Sequence, residues 1–321
     1  MIQRARILVT RQVDPHKNLA LEEALLRTAP PGLATLFLWQ NRHTVVIGAG
    51  QNAWRECNTA LLEREGGTLA RRSSGGGAVY HDMGNLNFSF LVPRQDYDLA
   101  RQQKVVLDAV RSLGVQAQPT GRNDLTVEGR KFSGNAFRLL KDSALHHGTL
   151  LVSADMGLVA RYLNVDPAKL QAKGVQSVKS RVANLCEYRS LTIDQVVQAM
   201  EEAFRAEYGP CIPAWADGLD IPGLDQLTAR YQSWEWNYGQ SPAGDWHVER
   251  RFPWGGIELF AHIERGCMRQ VRAYTDAMDE TLGPRLAQVL ESCPFQPEPL
   301  AQRLHALDLP ELAQWLAQVF P

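Results

Sequence analysis

Apolar and polar positions alternate along this chain in two periods, and the changes of period mark its elements. Residues 7–10 are apolar enough for a short strand. Asp14-Pro15 then opens a helix, with Asp as cap and Pro at the first helical position. Ala20, Leu21, Ala24 and Leu25 give that helix an apolar stripe to about Thr28, and Pro30-Pro31-Gly32 ends it. Two β-rich runs follow at 35–40 and 44–48, and a helix over about 57–65 stops at Gly66-Gly67. Residues 86–92 alternate as a strand does. A long helix is expected over about 97–113, with Leu99, Val106, Val110 and Leu113 on one face and Gly114 as its stop. Residues 125–152 have the pattern of a β-meander, turning at Glu128-Gly129 and Lys141-Asp142. Thr192 and Gln195 form a capping box before a helix that ends at Gly209-Pro210.

The pattern changes again near residues 240–246, where Ser241-Pro242-Ala243-Gly244 resembles a linker. Beyond it, residues 257–271 alternate as a hairpin, and helical periods run to the C-terminus. The expectation is a mixed α/β (α+β) fold, with a large domain over 1–243 and a small α+β domain over 246–321.

The 321 residues are 45% hydrophobic and 21% charged, values ordinary for a globular protein. Lys and Arg total 34 against 35 Asp and Glu. No global basic excess points to nucleic acid, so any anion site is local. No apolar run approaches the ~18 residues of a membrane span. The N-terminal stretch Ile7–Val9 is too short for a signal peptide. Five cysteines, odd in number and without a C-x-x-C pair, suggest neither disulfides nor zinc and fit a reducing cytoplasm.

Four segments carry candidate chemistry. RRSSGGGAVYHDMGN (71–85) has three consecutive glycines, which let backbone N–H groups approach an anion, and Arg71 and Arg72 stand just before them. A flexible surface linker is the alternative. GRNDLTVEGRKFSGNAFR (121–138) sets Lys131 beside a turn among small residues, placed to neutralise charge on a phosphorus centre. From spacing alone a solvent-facing strand lysine is the stronger reading. Asn123 and Asp124 suit Mg²⁺, adenine or a simple turn. In LHHGTLL (145–151) adjacent histidines on a strand point to opposite faces, which argues against a two-histidine metal chelate. QAKGVQSVKSRVANL (171–185) is polar and basic, as an ordering loop or a solvated connector would be. A lone Cys186 is more often a buried small residue than a nucleophile.

In order and spacing these segments resemble the bacterial lipoate–protein ligase family. So do DPHKNLALEEALL, LFLWQNRHTVVIGAGQN, QSWEWNYG (232–239) and FPWGGIEL (252–259), and the resemblance spans nearly the whole chain. It implies the fold shared with biotin–protein ligases and class II aminoacyl-tRNA synthetases, with a mobile C-terminal accessory domain. It implies ATP-dependent attachment of lipoate to a lysine of lipoyl domains through lipoyl-AMP, with Mg²⁺ accompanying ATP. The acceptors implied are 2-oxoacid dehydrogenase E2 subunits and the glycine cleavage H protein, met by a cytoplasmic monomer. Residue by residue, the resemblance assigns Arg72, Gly76, Gly77, Ala78, Val79, Tyr80, Asn123 and Asp124 to the nucleotide, with Asp124 also a metal ligand. It assigns Lys131 to catalysis and to both substrates. Trp39, Ser74, Arg138, His147 and Gly148 fall to lipoate, and residues 173–182 to a loop covering the adenylate. Two rivals remain: an ATP-independent octanoyl or lipoyl transferase using a cysteine, and a non-catalytic adenylate-binding module. The covering loop has no cysteine, which counts against the first, and Lys131 counts against the second.

Overall fold

The computed structural model describes residues 1–120, 124–164, 182–275, 277, 279 and 281–320. The chain divides into two compact units, residues 1–49 with 66–232, and residues 50–65 with 233–321.

In the first unit, Asp14 caps α1 (Pro15–Arg27) by accepting from the His16 and Lys17 amides at 2.9 and 3.2 Å. Strands β1 (Arg4–Val9), β2 (Leu33–Trp39) and β6 (Asn85–Pro93) lead into the meander β7 (Ala117–Thr120), β8 (Asp124–Val127), β9 (Arg130–Leu139) and β10 (Ser143–Leu151). With β11 (Pro213–Trp215) they form an eight-stranded mixed sheet among the described residues, in the order β11-β1-β2-β6-β10-β9-β8-β7. Both outer strands contain a proline, Pro213 and Pro119. A separate three-stranded sheet joins β3 (Thr44–Ile47), β4 (Thr68–Arg71) and β5 (Val79–His81).

Strand β6 sets the design. It alternates as its sequence indicates, yet all nine of its residues are buried. Leu86, Phe88, Phe90 and Val92 enter the core with helices α2 (Leu99–Ser112) and α3 (Ile193–Tyr208), through Val105, Val106, Val110, Val196, Met200 and Phe204. Asn85, Asn87 and Ser89 point to the opposite face. That face is covered by α1, which buries Glu22 and Glu23 as well as its apolar stripe. Every residue of this helix from Asn18 to Leu26 is buried, so its carboxylates need partners.

Glu23 has them. Arg27, Arg138, Arg230 and the Tyr231 hydroxyl approach it at 2.6, 3.2, 2.5 and 2.6 Å. Burial alone would raise its pKa. The Tyr231 hydrogen bond and the three arginines outweigh that and bring it to about 2.

In the second unit, β12 (Gly244–Phe252), β13 (Gly255–Glu264) and β14 (Cys267–Thr275) form an antiparallel meander. The expected hairpin is β13–β14, and β12 is an addition to it. Leu282–Leu290, Pro297–His305 and Pro310–Val319 are the helices that follow. The helix expected over 57–65 is present as Thr59–Arg64, and a separate four-residue helix, Ala53–Glu56, precedes it. Asn52 and Asn58 each cap a new start, and Cys57 between them is extended. No described helix is long and apolar enough to cross a membrane.

On the core side of β10, His146 is fully buried against the rings of Phe88, Phe90 and Phe137. Burial, then the charge of His147, pulls its pKa from 6.5 to about 3. A histidine lowered in this way favours the folded state fully above its unfolded pKa, and that contribution is lost as pH falls from about 6.5 towards 3. Unfolding free energy from urea titrations should therefore decline across that window. His146→Gln should lessen the slope by up to about 1.4 kcal/mol per pH unit. An unchanged slope would mean that His146 does not titrate with unfolding.

Candidate active site

The polar face of the central sheet and the glycine-rich loop enclose a cavity of about 160 Å³ in the first unit. Its floor is one row of the sheet. Trp39 pairs with Asn87, and Asn87 with Thr149. Gly134 of β9 lies beside Thr149, its amide 3.3 Å from the Thr149 hydroxyl. Trp39 stands at one end of that row, and Leu19 and Val46 also line the cavity. At the other end Lys131 rises over Gly134.

Lys131 is held from three directions. Its strand pairs with Thr126 of β8, and its carbonyl accepts from the Ala183 amide at 2.8 Å. Its Nζ is 2.8 Å from an Asp124 carboxylate oxygen. A Cβ on Gly134 would come within 2.9 Å of Nζ, so the glycine makes the slot in which the ammonium lies.

The loop's shape comes from Arg72, which is 6% exposed. Its Nη2 donates to the carbonyls of Gly75 and Gly77 at 2.7 and 2.8 Å, its Nη1 to Val46 at 3.3 Å and its Nε to the Ser74 hydroxyl at 3.1 Å. Burial lowers its pKa to about 10, with the Glu22 carboxylate opposing, so it stays charged near neutrality. Gly76 lies at φ 97°, and a Cβ there would approach Nη2 to 2.7 Å. The neighbouring Arg71 is also turned inward, donating to the Gly48 and Ala49 carbonyls. The sequence points both guanidinium groups at phosphate, whereas in the structure both donate to main-chain carbonyls. The arginines build the loop, and its glycine backbone meets the cavity.

Beneath the loop runs a chain of buried polar groups. Trp39 Nε1 donates to the Ser89 hydroxyl at 2.9 Å, and Ser89 donates to Glu22. His147 Nδ1 donates to Glu22 at 2.8 Å, and its Nε2 meets the Ser74 hydroxyl at 2.6 Å. The order serine, histidine, carboxylate matches a hydrolase relay, but Ser74 is buried under the Arg72 guanidinium and does not line the cavity. The chain fixes positions, and it ties helix α1 to the loop.

Of the residues expected in the site, Trp39, Arg72, Lys131, His147 and Gly148 line the cavity, with the loop stretch 76–79. Tyr80 is buried outside it, against His43 and Tyr162. Arg138 is engaged with Glu23 and Asp124 with Lys131. Asn123 and the loop 173–181 lie outside the described residues. Sequence reasoning missed Glu22, His81, Asn87 and Thr149. The signal for Asn87 was there, in polar residues repeating at every second position of a hydrophobic strand. Cys186 is exposed, away from the cavity lining, and partial desolvation of its sulfur, with the Glu187 charge beside it, raises its thiol pKa, which disfavours the thiolate.

A lysine held in a slot made by Gly134, in one cavity with a glycine-rich loop and the Trp39 ring, suits an enzyme that activates a carboxylate. The family model described as "Lipoyl protein ligase A/B catalytic domain" matches residues 14–205, and "Bacterial lipoate protein ligase C-terminus" matches residues 241–316. The chain belongs to the lipoate–protein ligase family. It is 27% identical to P. falciparum LipL1, solved in complex with lipoate, over 98% of this chain and 99% of that one, with TM-score 0.66. A bipartite lipoate protein ligase from Thermoplasma acidophilum, solved in a study that includes its E2 lipoyl domain, is 29% identical over 75% of this chain and 98% of that one, with TM-score 0.64. A lipoate-protein ligase A bound with ATP is 27% identical over 75% and 100%, with TM-score 0.63.

Two substitutions separate frame from chemistry. Arg72→Gln leaves buried carbonyls without donors and should cost roughly 2–4 kcal/mol of stability by chemical denaturation. Gly134→Ala meets only the far end of a flexible side chain. It should alter stability by less than about 1 kcal/mol. It should nevertheless slow ligation at least about tenfold, because displacing one charged group weakens its hold on the transition state. Full activity in Gly134→Ala would show that the slot does not set the lysine's position.

Proposed function

We propose that this enzyme attaches lipoate to a specific lysine of apo lipoyl domains, those of 2-oxoacid dehydrogenase E2 subunits and the glycine cleavage H protein. The reaction runs through lipoyl-AMP and serves lipoate salvage. The observation that carries this reading is that one cavity is lined by Lys131, whose ammonium lies against Gly134, by the glycine-loop residues 76–79 and by Trp39.

In the first step a lipoate carboxylate oxygen attacks the α-phosphorus of ATP. An O–P bond forms, the bond to the bridging oxygen breaks, and pyrophosphate leaves with the electron pair. Lys131 exchanges Asp124 for the carboxylate and α-phosphate and balances the charge that grows on five-coordinate phosphorus. Gly76, Gly77, Ala78 and Val79 present backbone to the nucleotide. Arg72 acts on it by holding that backbone in place. In the second step the acceptor's ε-amine attacks the acyl carbon, the C–O bond to phosphate breaks, AMP departs, and the amine proton passes to solvent. No enzyme thioester forms, consistent with the disfavoured thiolate of Cys186.

Mg²⁺ bound to ATP would neutralise phosphate charge. Near Lys131 the described residues offer it the Asp124 carboxylate, which suits an ion carried mainly by phosphates and water. Within this reading, residues 1–243 are catalytic and the C-terminal residues gate access for the acceptor. The enzyme works in the cytoplasm as a monomer.

With lipoate and labelled ATP alone, the protein should release pyrophosphate and form lipoyl-AMP. Lys131→Ala should remain folded and lose about 10²–10³ in that rate. Acceptor modification that proceeds equally well without ATP would transfer the chain to the transferase class.

A further inference from the structure

Two donors at the Trp39 end of the cavity have no acceptor among the described residues. The first is His81, 3% exposed, whose ring stands edge-on to Trp39 with centroids 6.4 Å apart. A relay that starts at the main chain fixes its tautomer. Asn18 Nδ2 donates to the carbonyls of Gln12 and Gln40 at 3.0 and 2.8 Å. The same nitrogen faces Asn41 Oδ1 at 3.0 Å, so Asn41 turns its Nδ2 to His81 Nδ1 at 3.2 Å. Nδ1 accepts, and the ring proton is therefore on Nε2, which has no partner. Burial, then the charges of Arg72 and His147, keeps the ring neutral, with its pKa near 3.

The second donor is Asn87, 2% exposed. Its Oδ1 accepts from Asn85 Nδ2 at 3.1 Å, and its Nδ2 has no partner. Asn87 is the cross-strand neighbour of Trp39, so both donors lie at the end away from Lys131.

On the proposed reading, lipoate's carboxylate is at Lys131 and its ring reaches the Trp39 end. A saturated tail there would seal two N–H groups under hydrocarbon without an acceptor, which is costly. Sulfur has lone pairs and accepts weakly. We propose that His81 and Asn87 recognise the sulfurs of the dithiolane ring, so that the site selects a disulfide-bearing acyl chain over a saturated one of the same length. This inference rests on the ligase reading, and the experiment separates the two.

Pyrophosphate release is measured with lipoate, with 5-cyclopentylpentanoate, which keeps the ring and chain but has no sulfur, and with octanoate. The wild-type kcat/KM should favour lipoate over the cyclopentyl acid by about tenfold, the scale of one buried donor left unpaired. In Asn87→Leu and His81→Phe that ratio should fall towards one, chiefly through a gain of activity with the cyclopentyl acid as the cost of the unpaired donor is removed. A ratio near one in the wild type would overturn the proposal, whether or not either variant folds. So would a ratio unchanged in both folded variants. Activity with all three acids at equal rates sinks this inference and leaves the ligase reading standing. Release with none of them ends the ligase reading, and this one with it.

Discussion

A guanidinium with almost no exposure to water must find oxygen for its N–H groups, and this chain is bent to supply it. Arg72 gathers the carbonyls of Val46, Gly75 and Gly77 and the hydroxyl of Ser74 around one side chain. Three consecutive glycines let the backbone fold that closely. The anion-facing surface is thus an outcome of a buried cation satisfying itself. From Ser74 the constraint passes through His147 to Glu22, and so to helix α1. Loop, sheet and helix are held in register by groups that cannot be left unpaired in a dry interior.

This arrangement divides the labour at the cavity. Groups that are rigidly paired, Arg72 and Glu22 among them, set shape. Lys131, ion-paired to the half-exposed Asp124, keeps a charge that can be passed to a ligand. Such a surface pair contributes little to stability, so little stands in the way of its exchange. Rigidity where geometry matters and weak pairing where charge must move are both products of burial.

Much of the fold was legible because local signals agreed. Asp14-Pro15, the Thr192–Gln195 capping box and the turns at Glu128-Gly129 and Lys141-Asp142 all do what their chemistry suggests. The site was legible only in part. The ordered motifs led to Lys131 and the glycine loop, but Glu22 lies off the apolar stripe of its helix. Asn87 likewise falls on the polar positions of an alternating strand. Period shows which residues share a face, and says nothing of whether that face meets water or a cavity.

The outer strands of the large sheet have a further consequence. Each carries a proline, and β11 is only three residues long, with Arg11 stacked over Trp215. A proline has no N–H to offer, so neither margin presents a full row of free donors to an incoming strand. The sheet is in effect hemmed: it resists being lengthened by a copy of itself. At the β11 margin an approaching protein meets the Trp215 ring with the Arg11 guanidinium over it.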